Sequence, residues 1–350
     1  MTLALRTPLC RDLGIEYPIL SAGIGSAAGA ELVSAVSNAG GFGVLGISGM
    51  KPDEIRRLIG RTRELTELPF GVNVIIDENG WATTDDDRRL LRDEVATAAD
   101  EGVGAVVLFW GDPSPYVDEV HGKGVKLLVQ VGSVEEAKAA AEAGVDAVLV
   151  QGVEAGGHVK GTTPIWDFVR DAVAAIDPRP VVASGGIGDG KGMARALRLG
   201  AQGVSLGTRF VASDEAWLHP AYKQRIVEAT AEDTVLNDLY DVWWPGAPAR
   251  TLRNKTLEEW EAAGCPPPGQ RPGEGTSIGK LTTSTGGVIE WPRYAGAGTP
   301  KPDFEGEIDY APLWAGESVS VVNDILPASE IVRRLVRDAE AALVEAEQFV

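Results

Sequence analysis

Val181 to Arg209 reads VVASGGIGDGKGMARALRLGAQGVSLGTR. A short apolar run, Val181 to Ala183, is followed by the glycine-rich loop Ser184-Gly185-Gly186-Ile187-Gly188-Asp189-Gly190. Gly190 to Leu199 then carries helical spacing, Gly200 stops it, and a second apolar run, Gly203 to Leu206, ends in Gly207-Thr208-Arg209. This is a strand–loop–helix–strand unit, and the same unit recurs toward the N-terminus. Pro18 to Ala22 precedes a helix over Ala30 to Asn38, Gly43 to Gly46 one over Asp53 to Arg63, and Phe70 to Ile76 one over Asp86 to Asp100. Ala105 to Phe109 precedes Tyr116 to His121, Val125 to Val131 precedes Val134 to Ala143, and Ala147 to Val150 precedes Trp166 to Ala175.

Eight short runs, apolar enough to be buried on both faces and separated by helices, predict a parallel sheet with right-handed crossovers. Eight such strands favour closure, so the predicted fold is α/β, a TIM (β/α)8 barrel. Gly40, Gly102, Gly144 and Gly200 stand where helices end and supply left-handed terminating residues. After Phe210 the alternation stops. Trp217 to Trp260 reads mostly helical, broken at His219-Pro220 and Trp243-Trp244-Pro245, whereas Cys265 to Gly279 and Glu290 to Pro312 are too rich in Pro and Gly for regular elements. The expected organisation is therefore a barrel formed by 1–212 and 310–350, with a smaller, mainly helical and loop-rich insertion over 213–309. Ala328 to Phe349 spaces Ile331, Leu335 and Leu343 as an amphipathic helix completing the outer ring.

The composition narrows the function. The chain has 350 residues, with 32 Lys+Arg against 51 Asp+Glu and a net charge of −19. That charge repels phosphodiester backbones and anionic lipid, which argues against nucleic-acid and membrane-surface roles. Cys10 and Cys265 cannot form a disulfide framework or a zinc site, and three separated histidines do not suggest a metal centre. No apolar run reaches the length of a membrane span and no secretory leader is apparent, so a cytoplasmic protein is expected.

In a barrel of this kind the chemistry sits at the carboxyl ends of the strands. Two adjacent loops there, Ser184 to Gly190 and Gly207 to Arg209, bring bare backbone amides to an anion, and a phosphate site is expected on them. Arg209 serves either that phosphate or a buried ion pair. The loop after strand six, Glu154-Ala155-Gly156-Gly157-His158, places an imidazole where substrate would lie, suited to proton transfer near neutral pH. By position alone, His158 is either structural or catalytic. His121 ends a helix and reads as structural, while His219 faces either the insertion or the cleft. Trp110, at the end of strand four, is either a pocket wall or core packing. The same holds for Trp217, Trp243, Trp244 and Trp260. Asp85-Asp86-Asp87 reads as a solvated helix start.

Together, Val153 to His158, Ala183 to Ile187 and Leu206 to Phe210 resemble the nitronate monooxygenase family, formerly the 2-nitropropane dioxygenases. They are also similar to the flavin-dependent enoyl-acyl-carrier-protein reductases of the FabK type. The resemblance extends from Pro18 through Asn38 to Gly43, Pro69 to Asn73 and His219-Pro220 to about Thr230. It implies FMN as cofactor, with its phosphate on Gly185, Gly186, Gly207 and Thr208. Ala22 and Gly23 would lie along the ring, Asn73 would hydrogen-bond it, and Gln130, Gly156, Gly157 and Ser184 would line the cleft. Gln130 replaces a lysine found in some relatives. His158 would be the base, and the reaction would be oxidation of alkyl nitronates, or nitroalkanes, with O2 to a carbonyl compound and nitrite. The alternatives are an NAD(P)H-dependent reductase of a quinone or enoyl thioester, a tailoring enzyme of specialised metabolism, and a non-catalytic barrel binding a phosphorylated ligand. The partners expected are a small-molecule substrate and O2, in a monomer or homodimer.

Overall fold

The computed structural model describes residues 5–282, 287–296 and 298–347. Its centre is an eight-stranded parallel sheet. The strands are β1 (Ile19–Ser21), β2 (Gly43–Gly46), β3 (Phe70–Ile75), β4 (Ala105–Phe109), β5 (Lys126–Val131), β6 (Ala147–Gln151), β8 (Val181–Ser184) and β9 (Gly203–Leu206). A two-residue strand, β7 (Gly157–His158), lies outside it. Each barrel strand pairs with the next, and β9 returns to β1 with Ile19 opposite Val204. The remaining seam is closed by a parallel bridge between Leu20 and Phe42. There the Phe42 amide donates to the Ile19 carbonyl at 2.8 Å and the Ser21 amide to the Phe42 carbonyl at 3.0 Å. The predicted TIM barrel is thus present.

Alternation along each strand separates two cores. Leu20, Val44, Val107, Leu128, Leu149 and Val182 cluster with Leu9 and Leu13 of α1 (Pro8–Leu13). Their neighbours in sequence, such as Leu127, Val129, Val148 and Val181, join a larger cluster with the outer helices. Each buried aliphatic chain contributes about 1.5–3 kcal/mol. The strands read as unbroken apolar runs because both faces are buried.

The outer helices are α2 (Ala30–Asn38), α3 (Pro52–Leu65), α4 (Asp85–Asp100), α5 (Val117–Gly122), α6 (Val134–Ala143), α7 (Ile165–Ile176) and α8 (Gly190–Arg198). They follow the sequence-derived spans to within a few residues. Thr84 caps α4, its hydroxyl accepting from the Asp87 amide at 3.1 Å, so the acidic run is the helix start expected. Gly144 ends α6 at φ 99°, and Gly40, Gly102 and Gly200 also have positive φ. The C-terminal helix, α12 (Ala328–Glu347), packs on α8 so closely that a Cβ on Gly190 would stand 2.5 Å from the Ala339 nitrogen.

The insertion departs from the mainly helical expectation. After α9 (Thr208–Val211), which follows β9, the described residues of the insertion form two α-helices, α10 (Pro220–Glu228) and α11 (Lys255–Ala262). The strands β10 (Thr234–Asn237) and β11 (Ala249–Leu252) form an antiparallel sheet with β7, and β12 (Ser277–Thr282) pairs with β13 (Val288–Pro292) and β14 (Glu305–Gly306). Strands this short leave too little alternation to read, and β11 is fully buried, which removes the polar face. The Cys265 to Gly279 stretch, expected to be irregular, ends inside β12, and Glu290 lies inside β13.

Candidate active site

The carboxyl ends of the barrel strands open into a cavity of about 500 Å³ roofed by the insertion. Ala22, Gly23, Asn73, Gln130, Gly156, Gly157, His158, Ser184, Gly185, Gly186, Gly207 and Thr208 all line it. Residues from six different loops and strand ends, separated in sequence by up to 186 positions (22 to 208), are therefore brought together.

Several of these positions leave room that a side chain would fill. A Cβ on Gly23 would stand 2.4 Å from the Asn73 Cβ, so only glycine lets the β1 loop pass over that side chain. Asn73 is held by donating to the Val107 carbonyl at 3.0 Å. Gly185 and Gly186 have φ 91° and 69°, and a Cβ on Gly185 would stand 2.7 Å from the Ala155 Cβ. At Gly207 neither reason applies: its φ is −97°, and the atoms nearest an added Cβ, on Ile24 and Ala22, stand at the ordinary contact distances of 3.6 and 3.7 Å. The Thr208 hydroxyl accepts from the Gly316 amide at 3.0 Å, and the Ser184 hydroxyl donates to Gln130 Oε1 at 3.3 Å.

His158 is positioned by its neighbours more than by its own strand. Gln151, at the end of β6, donates from Nε2 to the His158 carbonyl at 2.9 Å and accepts from the Lys160 amide at 2.9 Å. On the other side, His158 pairs with Ala249 of β11. The imidazole lies between two indoles, 4.1 Å from the Trp244 ring centroid and 5.2 Å from that of Trp314. Its ring faces the cavity while Nε2 is shielded and has no hydrogen-bond partner. Burial without a carboxylate neighbour pulls its pKa down to about 3, so the free imidazole is neutral. Trp244 is itself fixed, its indole donating to the buried Asp77 carboxylate at 2.9 Å.

Other expected residues lie elsewhere. Trp110 does not line this cavity; it stands behind Trp244, ring centroids 5.3 Å apart, beside a smaller cavity that it shares with Asp77 and Lys160. Its φ of 67° turns the chain away from the barrel mouth. His219 does not face the cleft either: its Nδ1 accepts from the Ala221 amide at 3.2 Å and caps α10. Arg209 is a buried ion-pair residue, bonded to Asp324 Oδ1 at 2.9 Å and to two carbonyls, the second of the two roles the sequence left open. His121 bonds Asp146 at 2.8 Å. Of the four insertion tryptophans named from the sequence, Trp243 and Trp244 line the cavity and Trp260 donates to the Pro266 carbonyl. Trp314, Tyr222 and Gln151 were not singled out by the sequence; only Gln151, at a strand end beside a glycine loop, carried a positional signal.

The chain matches the nitronate monooxygenase family over residues 6–338. It belongs to that family. It is also 32% identical to the nitronate monooxygenase of Pseudomonas aeruginosa, over 94% of this chain and 97% of the relative. It is 32% identical to the (3aS,4S,5R,7aS)-5-hydroxy-7a-methyl-1-oxo-octahydro-1H-indene-4-carboxyl-CoA dehydrogenase of Mycobacterium tuberculosis, over 99% of this chain and 100% of the relative. Among solved structures, FabK from Thermotoga maritima superposes with a TM-score of 0.81 at 32% identity, covering 99% of both chains. This nitronate monooxygenase family member is therefore an oxidoreductase, built on the barrel its family shares. Among its described residues no helix is long and apolar enough to cross a membrane.

Proposed function

We propose that this chain is an FMN-dependent oxidase of alkyl nitronates, acting with O2 to yield a carbonyl compound and nitrite. The observation that carries the reading is the convergence of glycine-rich strand ends and His158 on one cavity. The residues suit a flavin mononucleotide. The bare backbone of Gly207, which lines the cavity, and the left-handed turns at Gly185 and Gly186 suit a phosphate approached by backbone, and Gly23 over Asn73 suits a flat ring. In this reading Gly185, Gly186, Gly207 and Thr208 hold the phosphate, and Ala22, Gly23, Asn73, Gln130, Gly156, Gly157 and Ser184 surround the ring. A flavin bound there would supply the electron-accepting chemistry, with O2 as the final oxidant.

The protein's own residues orient the substrate and control its proton. His158 is neutral, and its shielded Nε2 has no hydrogen-bond partner among the described residues. An anionic substrate beside the ring raises its basicity, so it can hold a proton at that atom; with a neutral nitroalkane it is a weak base. Trp244 and Trp314 keep water from the ring and fix its plane.

Dehydrogenation or reduction of a thioester is a second reading. It is favoured by the full-length match to a carboxyl-CoA dehydrogenase. An anaerobic titration separates the two. Purified protein should be yellow, and an alkyl nitronate should bleach the flavin band while NADH and NADPH do so slowly. Rapid bleaching by a nicotinamide with no response to the nitronate would move the assignment to the thioester or quinone reductases. A colourless protein that binds no added FMN would end the flavin reading.

A further inference from the structure

The charge pattern of the cavity is opposite to that of the chain. Although acidic residues outnumber basic ones by 51 to 32, no Asp, Glu or Arg is among the described residues lining the cavity, and Lys301 is its one lysine. Lys301 is half-buried on the segment after β13. Its Nζ donates to the Thr282 carbonyl at 3.2 Å and lies 4.9 Å from the Trp217 ring centroid. No carboxylate stands within ion-pair distance of it among the described residues. The backbone beside it is fixed, because the Pro300 carbonyl accepts from the His219 amide at 2.9 Å. Burial depresses its basicity and only Asp303 opposes this, through space. A partly desolvated ammonium with one carbonyl and one ring face for company keeps donor capacity for an anion.

We propose that Lys301 is the residue by which this cavity selects the charge of its substrate. The negative field of the whole molecule opposes anion entry, so a local cation and a lining free of carboxylates are what such a ligand needs. The rim suits an amphipathic anion: Trp243 and Ile289 line the cavity and are exposed to solvent, and Trp217 packs against the Lys301 ammonium. The ligand class is an organic oxyanion with an apolar body, whether nitronate or carboxylate. The inference deepens the oxidoreductase reading and rests on it for turnover, but charge selection can be measured without turnover.

Two arms test it on the flavin-loaded protein, with Lys301→Met and Lys301→Arg. In the first, propyl-1-nitronate and 1-nitropropane provide the same skeleton with and without charge. Lys301→Met should raise KM for the nitronate roughly 10–100-fold with kcat little changed and the neutral compound nearly unaffected, while Lys301→Arg should restore most of the loss. In the second, calorimetry compares hexanoate with its neutral isostere hexanamide. The wild type should favour hexanoate at least about tenfold and Lys301→Met should abolish the preference. The proposal is overturned if the wild type shows no preference for the charged ligand, if the preference survives Lys301→Met, or if that variant loses its flavin, which would assign the lysine to the cofactor. Failure of nitronate turnover alone would count against the nitronate oxidase reading and leave the calorimetric arm to decide the role of Lys301.

Discussion

Glu94 offers a test of how the fold supports the site. It lies on α4, is 2% exposed, accepts from the Gly49 amide at 2.6 Å, and has no partner for its second oxygen. The amide it holds belongs to the loop after β2, whose Ser48 and Met50 line the cavity and whose Ser48 hydroxyl accepts from Ile75. Burial raises the carboxyl pKa from 4.5 to about 8. The unfolded chain releases this proton near 4.5, whereas the folded chain keeps it until near 8. Between those values the native state binds more protons, so the contribution of Glu94 to stability falls as pH rises and levels off above 8. At about 1.36 kcal/mol per unit, the full span amounts to at most ~5 kcal/mol. Glu94→Gln keeps the acceptor for Gly49 and removes the titration. It also adds an unpaired amide N–H group, a pH-independent cost of about 1–3 kcal/mol. The quantity to measure is therefore the difference in urea-unfolding free energy, variant minus wild type, at each pH from 5 to 8. It should climb by several kcal/mol in favour of the variant, since every other carboxylate cancels. A difference that stays flat across that range would refute a neutral, buried Glu94.

Gly207→Val should match the melting temperature of the flavin-free wild type, because an added Cβ meets nothing closer than 3.6 Å at an ordinary φ, yet should be purified with little flavin; stoichiometric flavin would remove this loop from the proposed phosphate site. His158→Asn should retain flavin and lose most activity. Because the free imidazole titrates near 3, the kcat/KM profile of the wild type on a preformed nitronate should show no histidine limb between pH 5 and 8; a limb near 6.5 abolished by the substitution would contradict the burial argument. Trp244→Phe removes the indole bond to buried Asp77 and should cost about 1–3 kcal/mol in urea unfolding, with a larger effect on kcat than on flavin content, since the ring also packs on His158.

The repeat of short apolar runs and helices was enough to indicate a barrel, because a strand buried on both faces and a helix buried on one leave different periodicities in the chain. The glycine loop after β8 was legible for a similarly local reason: a left-handed turn at Gly185 or Gly186 favours glycine whatever surrounds it. The twelve residues of the family motif could be named one by one without their contacts. What tertiary structure alone decided was each case that depends on a partner distant in sequence. Arg209 found Asp324, Trp244 found Asp77, and His158 came to lie between indoles from 86 and 156 positions further along (158 to 244 and 314). Trp110 and His219 had the right residue type near the right strand end, but a reversed φ and a helix cap turned them elsewhere. The insertion hid its strands because they are two to six residues long and their pairing is non-local. Lys301 carries no sequence signal; its meaning arises only when the fold gathers a cavity lining with no carboxylate among its described residues.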